Sequence, residues 1–376
     1  MTNKWHIPLF NLSFGEEEKQ AILEAIDAEW ISMGPRTREF ESRWEEYYNH
    51  STLAVSSGTA ALALSLKALN LKQGDEVILP SLTFVADANC VLQMGGTPVF
   101  ADIVSLNYPV ISPDDIEKKI NSRTAAIIVV HYAGYPAPID DICRIARKHG
   151  IALIEDCAHS PLVKFKNKLL GTFGDFGCFS FFANKNISTA EGGMLICKER
   201  EHYKQAMLLR SHGMTALSWD KQQGHSFQYD VIIPGYNYRI DDIRSSIGLA
   251  QLDKLPSINR IRGEKTKYYW HLLSSEKGLI IPFHNLGLPS SYYIFPLVLP
   301  NHTMRESLAD SLRNKGIQTS LHYPPIHHFT AYQSFQTSLP NTEKYGQQAL
   351  TLPLFPALTN SEIELICDII ISEKIK

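Results

Sequence analysis

The chain has 376 residues, 44% of them hydrophobic, and its 36 Lys and Arg against 39 Asp and Glu give a net charge of -3. That length and apolar share support a large buried core, divided between one bigger and one smaller domain, and the near balance of charge leaves no basic stripe for nucleic acid. The opening Met1-Thr2-Asn3-Lys4-Trp5-His6 leads into no long apolar segment, so neither a signal peptide nor a membrane span is expected and the cytoplasm is the default location.

Residues 53–56 read as a short apolar strand, and 58–69 as an Ala/Leu-rich helix. Gly74-Asp75 turns the chain into a strand at 76–79, and 83–94 reads as a second helix. The next strand is 98–101. Ser112 followed by Pro113 predicts an N-cap with proline in the first turn, and 125–131 is a buried strand. A helix at 140–149 precedes strands at 152–155, 177–182 and 193–197. This alternation predicts an α/β fold whose mostly parallel sheet is covered by helices. Residues 211–237 break the pattern with Gly, His, Trp and Tyr, and read as a long functional loop. Beyond them, helices are expected at 241–255 and 258–273, a strand-forming stretch at 292–299, and helices near 303–315, 343–350 and 360–372. The expected division is a large domain of residues 1–255 and a smaller α+β domain of residues 256–376. Cys90, Cys143, Cys157, Cys178, Cys197 and Cys367 show no CxxC spacing, and no disulfide is expected.

Two features carry chemistry together. Lys185 closes the run Phe179-Ser180-Phe181-Phe182-Ala183-Asn184-Lys185, and an apolar strand upstream ends in Glu155-Asp156. A lysine that bonds to a cofactor aldehyde needs a poised amine, and a pyridine ring that acts as an electron sink needs a carboxylate against its nitrogen. A lone lysine beside aromatics is ordinarily a snorkelling edge residue, and a lone Asp at a strand end a turn former. Paired at two strand ends, they read as a pyridoxal phosphate site. Phosphate needs amides at a helix N-terminus with hydroxyls beside them, and Ser56-Ser57-Gly58-Thr59 offers both, although the same residues also serve as ordinary capping chemistry. Phe84, after the next strand, is placed either to stack on the pyridine face or to fill the core.

The layout resembles the DegT/DnrJ/EryC1/StrS sugar aminotransferases, a branch of the fold type I pyridoxal phosphate enzymes. The resemblance runs nearly end to end, through Trp30-Ile31-Ser32-Met33-Gly34-Pro35, Val55-Ser56-Ser57-Gly58-Thr59, Gly74-Asp75-Glu76-Val77-Ile78, Pro98-Val99-Phe100-Ala101-Asp102, Ile154-Glu155-Asp156-Cys157-Ala158-His159-Ser160, the run ending in Lys185, Glu191-Gly192-Gly193-Met194 and Gly235-Tyr236-Asn237-Tyr238-Arg239. It implies that Lys185 is the catalytic lysine that holds the cofactor and shuttles the proton, and that Asp156 partners the pyridine nitrogen. Ser57, Gly58, Thr59 and Ser180 would hold the phosphate, Phe84 would stack on the ring, and His159 would lie near its O3′ edge. Asn237 would reach the phosphate of a partner subunit's cofactor, which implies a homodimer with shared sites. Arg239, Tyr323 and His327 would face substrate. The implied reaction cycles pyridoxal and pyridoxamine phosphate, with L-glutamate as amino donor and a nucleotide-linked keto-sugar as acceptor. The run ending in Lys185 and the Glu191 motif resemble perosamine-synthase-type members, which aminate C4 of a 4-keto-6-deoxyhexose; a 3-keto-sugar or a cyclitol ketone is the alternative.

Sugar 3-dehydratases of the same scaffold resemble one another in carrying histidine where Lys185 stands, and a non-catalytic regulator would be expected to have lost Lys185, Asp156 or Ser180. Gly171-Thr172-Phe173-Gly174-Asp175-Phe176-Gly177 leads into a strand, so it fails the context of a dinucleotide loop and reads as a turn. In His322-Tyr323-Pro324-Pro325-Ile326-His327-His328 the prolines forbid a helical i, i+4 pair, and no carboxylate or cysteine lies within the segment, so no metal is expected.

Overall fold

The computed structural model describes residues 5–216 and 228–374; residues 217–227 of the expected functional loop lie outside them. Helices α1 (Glu16–Asp27) and α2 (Pro35–Tyr48) precede an alternating run: β1 (Ser51–Val55), α3 (Gly58–Ala68), β2 (Glu76–Pro80), α4 (Ala86–Gln93), β3 (Thr97–Ala101), α5 (Pro113–Lys119), β4 (Thr124–Val130), α6 (Ile139–His149) and β5 (Ala152–Asp156). The two-residue strands β6 (Lys164–Phe165) and β7 (Lys168–Leu169) form a small hairpin before β8 (Phe176–Ser180), β9 (Gly193–Cys197) and α7 (Arg200–Arg210). The chain closes with α8 (Asp242–Leu273), β10 (Phe295–Val298), α9 (His302–Asn314), α10 (Pro340–Gln348), β11 (Ala349–Leu352) and α11 (Asn360–Lys374).

Seven strands make the central sheet in the order β1-β9-β8-β5-β4-β2-β3. From β8 to β3 every pairing is parallel, and β9 alone runs antiparallel to both its neighbours. Period-2 alternation explains why these strands are apolar on both faces. In β4, Ile128 joins the core under α3 and α4, while Ile127 and Val129 point to the α5 and α6 side. In β9, Leu195 and Cys197 face α3, and Met194 and Ile196 face the aromatic layer of Trp44, Phe179 and Phe181. Ala60, Ala61 and Ala63 on α3 are buried, and their small side chains let that helix lie close to the sheet.

The Trp30-to-Pro35 motif makes the start of α2. A Cβ on Gly34 would sit 2.3 Å from Trp30 Nε1, and Pro35 occupies the first turn, where its missing N–H costs nothing. The free amides there are capped across the fold, because Asp242 on α8 accepts from Gly34 N (2.8 Å), Thr37 N (3.0 Å) and Thr37 Oγ1 (2.7 Å). Ser112 caps α5 as its sequence predicts, accepting from Asp115 N.

Two expected helices at 241–255 and 258–273 are one helix, α8, which runs through Pro256. Proline removes one helical bond, but Leu252 and Leu255 before it and Ile258 after it are buried, and that packing holds both halves on one axis. The expected domain division at 255 therefore falls inside a continuous helix. The small C-terminal core gathers Leu297 and Leu350 from the β10–β11 pair with Leu312, Ile366 and Ile370. All six cysteines are unpaired. Among the described residues, no helix is long and apolar enough to cross a membrane.

Candidate active site

Strand ends converge on a cavity of about 440 Å³ at the C-terminal edge of β5 and β8, where ligands bind in open α/β sheets. A larger cleft of about 760 Å³ opens at the other end of the same strands, near Gly150 and Asp175. The chemistry belongs to the first. Ser57, Gly58, Thr59, Phe84, Asp156, His159, Ser180, Lys185 and Tyr323, all singled out from sequence, line it.

Ser57 caps α3, its Oγ accepting from Ala60 N at 3.1 Å, which leaves the amides of Gly58 and Thr59 in the first turn, where a helix offers them no internal acceptor. A Cβ added to Gly58 would meet Ser180 Cβ at 2.8 Å, so glycine is what lets the β8 terminus and the helix N-terminus close on one small cradle. Lys185 follows β8 on a turn closed by its own N–H to Phe182 O at 2.9 Å. The next residue fixes that turn, Asn186 donating to Ser291 O (2.7 Å) and Asn259 Oδ1 (2.8 Å). Lys185 Nζ then stands 4.3 Å from the centre of the Tyr293 ring.

The acidic pair divides its work by strand alternation. Glu155 is fully buried and accepts from Gly171 N (2.9 Å), Phe173 N (2.7 Å), Gly174 N (2.8 Å) and His131 Nε2 (2.9 Å), so it anchors the Gly171–Gly174 turn and faces away from the cavity. Asp156 lines the cavity, and the Ala158 amide takes only its Oδ1 (2.8 Å).

Behind Asp156 lies a second buried carboxyl that the sequence reading did not single out. Asp87 accepts from Thr83 Oγ1 at 2.5 Å through Oδ2, and its Oδ1 has no hydrogen-bond partner. Burial pushes the Asp87 carboxyl well up, with the charge of Asp156 adding to it; burial also raises Asp156, against the opposing pulls of the Ala158 amide, Lys185 and His131. A raised folded-state pKa makes the stability this pair contributes fully present below the ordinary Asp value of 3.8, and lost as pH rises through the folded values. Cofactor-free protein is therefore expected to lose melting temperature as pH climbs from acid towards neutrality. Asp87→Asn, which mimics the protonated acid, should flatten that slope; parallel slopes in thermal melts of both proteins would remove Asp87 as its source.

His159 is buried, stacks on Tyr293 at 4.2 Å and pairs through Nε2 with Tyr323 OH at 3.0 Å, while its Nδ1 has no partner. Burial first, then Lys185, holds His159 well below the usual histidine range and brings His322 down to about 4. Both imidazoles are neutral near pH 7 and act as hydrogen-bonding groups. Phe84 is 57% exposed, which settles the choice left by its sequence: it is a wall of the cavity and no core residue.

Three expected residues stand apart from this chain's cavity. Asn237 is exposed and Arg239 half-buried on the segment bridging to Ser211 and Val55, and neither lines it. His327 is buried behind the wall, its Nδ1 paired with Ser81 Oγ at 2.6 Å, so it is removed from the substrate-facing set. Conversely, Tyr293 and His322 line the cavity without having been singled out as site residues; Tyr293 stands just before β10, and His322 opens the His-rich run that the sequence marked only as a rejected metal motif.

A cradle at a helix N-terminus, a lysine amine, a carboxylate and an orphaned imidazole nitrogen on one cavity fit pyridoxal phosphate, and with this sheet they define a fold type I pyridoxal phosphate enzyme. The chain matches the DegT/DnrJ/EryC1/StrS aminotransferase family over residues 13–371 and belongs to it. It is similar to the aminotransferase TlmJ of Streptoalloteichus hindustanus, with 34% identity, 98% of this chain and 99% of that one covered, and a TM-score of 0.92. Spr1654 of Streptococcus pneumoniae, described as a sugar aminotransferase and solved in its PMP form, shares 29% identity over 99% and 100% of the two chains at a TM-score of 0.92. The Escherichia coli GDP-4-keto-6-deoxy-D-mannose-3-dehydratase with bound hydrated PLP shares 25% over 97% and 99% at 0.89. The protein is a pyridoxal phosphate-dependent sugar aminotransferase.

Proposed function

We propose that the enzyme moves the amino group of L-glutamate to the keto carbon of a nucleotide-linked 4-keto-6-deoxyhexose, giving an amino sugar for a surface polysaccharide or a secondary metabolite. The observation that carries this reading is that the side chains of Lys185 and Asp156 share one cavity with a phosphate cradle. Bound pyridoxal phosphate supplies the electron sink for the carbon that loses its proton. Lys185 takes that proton at Nζ and returns it on the other side of the exchange, its reach set by the Asn186 anchor. Asp156 would set its carboxylate against the ring nitrogen. The Gly58 and Thr59 amides with Ser180 Oγ would hold the phosphate, and Phe84 and His159 would flank the ring. Tyr323, tied to His159, forms the wall on the small-domain side, where a sugar would lie.

The dehydratase relative acts, by its name, on a GDP-linked 4-keto-6-deoxy sugar, which supports that acceptor class. The retained Lys185 favours amination over dehydration. Purified holoenzyme bleached with L-glutamate should regain its yellow colour with one nucleotide's 4-keto-6-deoxyhexose from a panel of GDP-, UDP- and dTDP-linked keto-sugars. Recovery only with a 3-keto-sugar or a cyclitol ketone would replace the reading.

A homodimer with shared sites completes the proposal, because Asn237 is exposed and Phe84 (57%) and Phe182 (44%) stand open at the cavity mouth. A closed two-fold interface would bring the partner's loop to that mouth. Chains carrying Lys185→Ala mixed with chains carrying Asn237→Ala, each impaired alone, should recover activity towards half that of wild type per mixed dimer. If subunits exchange and activity does not rise, Asn237 serves its own chain or only the fold.

A further inference from the structure

The turn that follows the Tyr323 wall holds a second cluster of ligating groups, apart from the cofactor cavity. Residues Ile326–His328 form one 3-10 turn docked on the end of β2 through Ile326 N to Ser81 O at 3.1 Å. His327 is 1% exposed, and its Nδ1 lies 2.6 Å from Ser81 Oγ. Ser81 Oγ also accepts from His327 N at 3.3 Å; the tautomer that donates Nδ1–H to this hydroxyl leaves a bare lone pair on Nε2, which has no hydrogen-bond partner among the described residues. It points at Glu343 Oε1 on α10, 3.6 Å away. That separation is too long for a good hydrogen bond, yet close to the edge, roughly 3.3–3.4 Å, of a tetrahedron of ligands about 2.0–2.1 Å from a zinc ion. His328 completes the group: its ring centre lies 4.1 Å from that of His327, and one ligand atom from each of the three residues falls within 4.8 Å of the others. Glu343 Oε1 also accepts from Leu339 N at 2.9 Å, an outer contact of the kind that orients ligating carboxylates. The carboxylate missing from the His-rich segment itself is thus supplied by the fold.

We propose that His327, His328 and Glu343 bind a divalent ion of the zinc class, with solvent in the remaining position beside the exposed His328. Two imidazoles and one carboxylate suit Zn²⁺ or Co²⁺ and disfavour Mg²⁺ and Ca²⁺. The ion ties the 326–328 turn to α10 and so braces the wall that carries Tyr323. The other His-bearing group, His131, Glu155 and Cys157, does not compete: His131 Nδ1 accepts from Ala137 N at 3.1 Å and its Nε2–H goes to Glu155, leaving no lone pair for an ion.

The test uses full-length holoenzyme, stripped with a chelator, desalted and titrated with CoCl₂ and ZnCl₂. One equivalent of Co²⁺ per chain should give visible d–d absorption that Zn²⁺ displaces, and saturating Zn²⁺ should raise the melting temperature by roughly 2–5 °C. His328→Ala and Glu343→Gln should each weaken Co²⁺ binding about tenfold or more. Absence of stoichiometric binding, or binding that both variants retain at wild-type strength, overturns the proposal and leaves His327 Nε2 and Glu343 Oε1 as unbridged neighbours.

Discussion

Replacing Lys185 with Ala is expected to lower turnover by about 10⁴-fold or more, while the fold and the phosphate cradle persist. On the proposed reading the amine is both the covalent anchor and the proton carrier, so its loss would remove two functions at once. Its native contacts are few: a half-buried stem and a 4.3 Å approach to the Tyr293 ring, worth about 0.5–1 kcal/mol. Cofactor should therefore still bind, held by phosphate and stacking, with the absorbance of an unlinked aldehyde. Steady-state assays, single-turnover spectra with L-glutamate and a thermal melt separate these effects. Near wild-type transamination by the Ala variant would remove Lys185 from the mechanism.

Asp156→Asn should cost about 10²–10⁴-fold in turnover with little change in stability. An amide keeps an acceptor for the Ala158 amide, so the strand-end contact at 2.8 Å survives, but it offers no negative charge to a protonated ring nitrogen. Cofactor-free protein should be no less stable than wild type near neutrality, because the substitution removes one of two carboxyls that burial already disfavours as anions. If Asp156 served only as a turn former, the change would instead cost about 1 kcal/mol and leave the chemistry intact. The discriminating measurement is turnover set beside a melting curve of the same preparation.

Much of this site is legible in the chain because its parts sit where strands end. Ser57-Gly58-Thr59, Asp156 and Ser180 each follow or finish a short apolar run, and the period-2 pattern that marks those runs also fixes which neighbour faces the cavity. What stays hidden is what no strand end delivers. Tyr293 and His322 reach the cavity from segments far along the chain beyond β9, and Asn237 and Arg239 do not line this chain's cavity, so no spacing along the chain reports them. The resemblance put His327 at the substrate wall, but Ser81 draws the ring behind it. Helix α2 escaped the reading for a related reason. Its buried Thr37, Phe40, Trp44 and Tyr48 keep a helical spacing, but charged residues crowd between them and its cap, Asp242, comes from α8. Pro256 errs in the other direction: a strong local breaker is overruled by burial on both sides.

The sheet order also sets a schedule for biosynthesis. β1 lies at the sheet edge, and its one strand partner is β9, so Ser51 must wait for Cys197 before it is paired. At about 5–20 residues per second, that wait is on the order of ten seconds, during which the first strand and the Ala-rich helix behind it are exposed. The same delay governs the cofactor, since one half of its phosphate cradle is made with β1 and the other closes with β8. A nascent chain that has yet to deliver β9 therefore lacks the finished cradle.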